Sequence, residues 1–128
     1  MRKILAFTLA FGLAVIAVLW AADAPKKPEA AKTPTAKLTG EVICLSCYMD
    51  HEAMGDKHAA CAASCAKRGV PLGILEDKTG NVFTVVKGHS GANEALTPFA
   101  GKKVALTGSW FERGNAKVFS FETVAEAK

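Results

Sequence analysis

Four cysteines in two close pairs constrain this chain more than any other feature of its sequence. Cys44 and Cys47 form a C-x2-C pair, thirteen residues follow, and Cys61 and Cys65 form a C-x3-C pair. The residues around the second pair predict a helix, so both of its thiols should point to one side, with His58 on the same stripe. We therefore predict that these five side chains converge on one site.

The N-terminal residues 1–24 predict export. Arg2 and Lys3 precede an uncharged run of 17 residues, Ile4 to Trp20, which is the order of a secretory signal. The run has the minimum length for spanning a bilayer, so it is predicted to be either a signal peptide or a membrane anchor. We expect an extracytoplasmic protein, periplasmic or secreted, with any membrane association made through residues 4–20.

Residues 25–37 predict a disordered tether, because they combine prolines and lysines with few apolar side chains. The formal net charge of +4 comes from the N-terminal part of the chain, since residues 38–128 hold ten Lys/Arg and ten Asp/Glu. A neutral domain lacks the basic surface that attracts phosphates, and we expect no nucleic-acid partner.

Residues 38–128 predict one mainly β domain. A five-stranded OB-like barrel is the predicted fold, with a cysteine-bearing helical insert at residues 44–69, after the first strand. An open antiparallel sheet packed on the helix is the alternative. Strands are predicted at 38–43, 72–76, 81–87, 103–112 and 117–124, a helix at 56–68, and a short helical stretch within 91–100.

Several short segments resemble small exported bacterial proteins that have an OB-like barrel. The resemblance extends from Leu38 to Val124 and implies a fold and export; it assigns no site residue. The segments are Leu-Thr-Gly-Glu-Val at 38–42, Cys47-Tyr48, the run from Gly55 to Cys65, Gly-Val-Pro-Leu-Gly at 69–73 and Leu-Thr-Gly at 106–108.

Three kinds of chemistry suit the cysteines. The spacing of the pairs favours one metal ion held by four thiolates, or by three with His58. An oxidising compartment favours disulfides instead, which would join the first pair to the second because thiols on successive helical turns are too far apart to bridge. The third is thiol–disulfide exchange at Cys44 and Cys47, although the residues after Cys47 predict irregular chain rather than the helix such a pair usually begins.

Zn2+ is the predicted ion, because paired cysteines a dozen or more residues apart commonly form tetrahedral zinc sites. Copper is the alternative, since Met49, Met54, His51 and His58 lie in the same insert and soft ligands suit Cu(I). For the two methionines, hydrophobic filling between helix and barrel is the simpler expectation.

No catalytic residue is predicted. The aromatic residues of the last two strands, Trp110, Phe111, Phe119 and Phe121, are expected mainly in the core, although some OB barrels use such side chains for stacking. The leading hypothesis is a non-enzymatic metal-binding domain. The alternatives are a disulfide-stapled module that binds an unidentified protein or small ligand, and a thiol–disulfide redox protein.

Overall fold

The structure is a computed structural model that describes residues 35–128. The predicted signal peptide or anchor lies outside the described residues, as does the predicted tether apart from its last three positions. Within residues 35–128, no helix has the length and apolar character needed to cross a membrane.

The described chain is mainly β, as predicted. Along the strands, side chains alternate between the core and the outer surface. The last two strands show this pattern, with buried side chains at Val104, Leu106, Phe119 and Phe121. In residues 35–128 the strands are β1 Ala36–Cys44, β2 Leu72–Glu76, β3 Val82–Lys87, the two-residue β4 Ser90–Gly91, β5 Lys103–Arg113 and β6 Ala116–Glu126.

Five of these strands close into a barrel. Strand β1 pairs antiparallel with β2 and β5, β2 pairs with β3, and β5 pairs with β6. Parallel pairing of β3 with β6 completes the ring, while β4 pairs antiparallel with the end of β3. The closed barrel excludes the alternative of an open sheet, and this strand order is compatible with an OB-like barrel.

The insert after β1 consists of two helices, α1 Leu45–His51 and α2 Asp56–Lys67. The prediction of a helix at α2 is confirmed to within one residue. The prediction of irregular chain after Cys47 is wrong, because α1 occupies it. Helix α1 ends without the glycine that commonly marks a helix C-terminus. Glu52 instead adopts the left-handed conformation there, with φ 53°, and donates its N–H to the carbonyl of Tyr48 at 2.8 Å.

A short helix, α3 Asn93–Leu96, and a 3-10 turn, Thr97–Phe99, connect the two halves of the barrel. Gly101 follows the turn with φ 73°, and a Cβ there would lie 2.8 Å from the Cβ of Ala59 and 2.9 Å from the carbonyl oxygen of Gly55. Glycine at this position therefore lets the first turn of α2 pack directly on the backbone of the barrel.

Candidate metal centre

The first cysteine pair lies where β1 turns into α1. Cys44 is the last residue of β1 and is buried, whereas Cys47 lies within α1 and is half-buried. The N–H of Leu45 donates to the carbonyl of Pro71 at 3.2 Å, which ties this turn to the chain that enters β2. Both sulfur atoms are thereby held next to helix α2.

Cys65 reaches the same place from the last turn of α2, where it is buried. The side chain of Asn93 holds this end of the helix. Its amide nitrogen donates to the carbonyls of Ala66 at 3.1 Å and Val70 at 2.8 Å, and its amide oxygen accepts from the N–H of Leu72 at 3.0 Å. One side chain thus joins α2 to β2 and positions Cys65.

Three of the four cysteines come together. The sulfur atoms of Cys44, Cys47 and Cys65 all lie within 4.8 Å of one another, and Cys47 and Cys65 are 3.9 Å apart. All three are free thiols. We refer to them as the three-sulfur group; it is positioned to bind a metal ion.

The thiols of Cys65 and Cys47 have pKa values that are shifted in opposite directions. The Arg68 guanidinium donates to the Cys65 sulfur at 3.2 Å and holds the pKa of Cys65 below its ordinary value, against the opposing effect of burial. The hydrogen bond to Cys44, burial and the hydrogen bond to Cys65 raise the pKa of Cys47 to about 12. The Cys65 thiol therefore ionises more readily than the Cys47 thiol.

Cys61 and His58 lie outside the three-sulfur group. Cys61 is exposed and His58 is half-buried. Both line a small pocket, with a cavity volume of about 10 Å3, that Cys44 and Cys47 also line. The thiol of Cys61 also raises the pKa of Cys47, so these two cysteines are neighbours as well.

The other soft side chains of the insert differ in their placement. Met54 lines the same pocket at 42% exposure, whereas Met49 is 75% exposed and does not fill space between helix and barrel, contrary to the expectation from the sequence. His51 is exposed, pairs with Asp50 at 3.0 Å, and has its ring 6.0 Å from that of His58.

The aromatic residues of the last two strands divide between core and surface. Phe119 and Phe121 are buried, as expected, and Phe119 makes an edge-to-face pair with Phe83 at 6.4 Å. Trp110 is 37% exposed and presents a second edge-to-face contact to Phe83. Two of the four aromatic residues therefore lie in the barrel core, whereas Phe111 is half-buried and Trp110 reaches the surface.

Two residues of the site, Arg68 and Asn93, were not predicted from the sequence. Arg68 follows Cys65 by three positions, a spacing that brings side chains together at the end of a helix and could have revealed the contact. Asn93 carried no such signal, because its partners lie 21 to 27 residues earlier in the chain.

Comparisons with protein-family models, with curated protein sequences and with solved structures give no match for this chain. The resemblance noted from short segments stays a prediction. The function is therefore argued from the residues of the site.

Proposed function

We propose that this protein is a non-enzymatic, extracytoplasmic metal-binding domain that holds one zinc ion. The observation that carries the proposal is the three-sulfur group, whose sulfur atoms lie within 4.8 Å of one another. Free thiols gathered this closely, two of them buried, form a ligand set for a thiophilic ion. Export is supported by the basic residues and uncharged run at the N-terminus.

The spacing of the sulfur atoms suits zinc. A tetrahedral site with Zn–S distances of about 2.3 Å has sulfur atoms about 3.8 Å apart. Cys47 and Cys65 are separated by 3.9 Å, and the other two separations do not exceed 4.8 Å. Side-chain movements of roughly 1 Å would therefore bring all three sulfurs to zinc distance.

Cys61 is the proposed fourth ligand. It lines the same pocket as Cys44 and Cys47, and its thiol interacts with that of Cys47. Four thiolates around Zn2+ leave a net negative charge, which the hydrogen bond from Arg68 to Cys65 would offset. Copper is the alternative ion, because a soft monovalent ion can be held by the three-sulfur group alone.

Elemental analysis of the natively exported protein, purified without chelator, tests the proposal together with a titration of free thiols after denaturation. We expect one zinc ion per chain and four titratable thiols. Cys65→Ser should lose the metal, whereas Ser64→Ala, at the exposed neighbouring position, should keep it. Cys61→Ser should weaken zinc binding but leave the binding of Cu(I) unchanged.

A disulfide-stapled module that binds a protein or small ligand is the second candidate. The sulfur atoms of Cys47 and Cys65, 3.9 Å apart, favour it, because a modest rotation of both side chains would allow a bond between helices α1 and α2. A purified protein that contains no metal and lacks two or more free thiols would support this candidate and contradict zinc binding.

A further inference from the structure

The surroundings of the three-sulfur group differ in charge between Cys65 and the other two cysteines. The guanidinium of Arg68 contacts Cys65. The small pocket, with a cavity volume of about 10 Å3, is lined by Cys44 and Cys47 but not by Cys65. Among the described residues that line this pocket there is no lysine or arginine. A metal cation is therefore repelled by Arg68 near Cys65 but meets no positively charged side chain in the described lining of the pocket.

The pocket carries ligands of its own. His58 and Cys61 both line it, and they are three residues apart on α2, a spacing that puts Cβ atoms about 5–6 Å apart on one face of a helix. Imidazole nitrogen and thiolate sulfur are both zinc ligands. The carboxylate of Glu41, which accepts a hydrogen bond from the N–H of Gly55, adds negative charge to the same wall.

We propose that His58 and Cys61 form a capture site, where Zn2+ binds before it moves inward to the three-sulfur group. This inference rests on the proposed function. Cys61 is the exposed member and meets the ion first, whereas Cys44 and Cys47 form the inner wall of the same pocket. The ion thus passes along one continuous surface of ligands.

Each step of the transfer is an exchange of ligands. At the capture site a ring nitrogen of His58 and the sulfur of Cys61 replace water on the ion, and the Cys61 thiol releases its proton to solvent. Cys47, Cys44 and Cys65 then replace His58 and the remaining water, and every thiol that was protonated releases its proton. No electron is transferred, and Cys61 stays on the ion as the fourth ligand.

The test compares rates of Zn2+ uptake by the reduced, metal-free full-length protein, with the zinc–thiolate absorbance monitored by stopped flow. The zinc affinity of each variant is measured separately by chelator competition. His58→Ala should slow uptake by about tenfold, within the range over which association rates vary among variants of one site. Its affinity should stay within about threefold of the wild type, because the final ligands are unchanged.

His51→Ala is the matched control, since His51 contacts the ring of His58 but does not line the pocket; its uptake rate should equal the wild-type rate. His58→Gln keeps a polar side chain of similar size and should be as slow as His58→Ala, which separates loss of the imidazole from local unfolding.

Three results would overturn the capture site. If both His58 variants take up zinc at the wild-type rate, the ion does not pass through His58. If they lose as much affinity as Cys65→Ser, His58 is a final ligand instead. A wild-type protein that binds no zinc at equilibrium would overturn the proposed function along with the capture site. The wild-type affinity is measured first, so this outcome is recognised before any variant is compared.

Discussion

Replacing Asn93 with alanine should loosen the attachment of helix α2 to the barrel. The substitution removes three hydrogen bonds, to Ala66, Val70 and Leu72, whose lengths are 2.8 to 3.1 Å. Each contributes about 0.5–1.5 kcal/mol net, so the free energy of unfolding should fall by about 1.5–4.5 kcal/mol. Two of the partner residues are buried, which limits how well water can replace the amide.

The assay is urea unfolding of the reduced, chelator-treated protein, followed by circular dichroism, so that metal does not contribute to the stability. Glu94→Ala, an exposed change in the same short helix, is the control and should alter the free energy by no more than about 0.5 kcal/mol. If Asn93→Ala costs less than about 1 kcal/mol, the three hydrogen bonds do not hold α2 in place, and our account of how Cys65 is positioned is wrong.

The remaining predictions concern charge, packing and metal. Arg68→Gln should raise the pKa of the Cys65 thiol in the metal-free protein, as measured by thiolate absorbance against pH. Lys67→Gln is the control, and the same thiol pKa in both variants would contradict the role of the guanidinium. Gly101→Ala should destabilise the protein by about 1–3 kcal/mol more than Gly114→Ala. Both glycines have a positive φ, but a Cβ would clash with neighbouring atoms only at Gly101. Equal decreases in the unfolding temperature of the two variants would refute this prediction. Removing zinc with a chelator should lower the unfolding temperature, and adding zinc should restore it, because metal-binding energy is coupled to folding; an unchanged temperature would argue against a bound ion.

Much of the barrel could be predicted because its signals are local. Strands β2 and β3 and the turn between them are marked by apolar runs around Asp77-Lys78-Thr79-Gly80, and α2 is bounded by Asp56 and by Gly69 with Pro71. Helix α1 was missed because it has seven residues and ends at Glu52, a residue type that rarely takes the left-handed conformation. A helix that short has little periodicity and depends on its surroundings.

The sequence by itself determined that four cysteines would fall in one insert and that strands and a helix would flank them, because spacing and hydrophobic periodicity are properties of neighbouring residues. Tertiary structure alone decided that β3 and β6 pair in parallel to close the barrel. It also decided that Cys44, Cys47 and Cys65 form the three-sulfur group while Cys61 remains exposed. That selection depends on how α2 is held against the barrel, by Asn93 at its C-terminal end and by Gly101 at its first turn, through contacts between residues far apart in the chain.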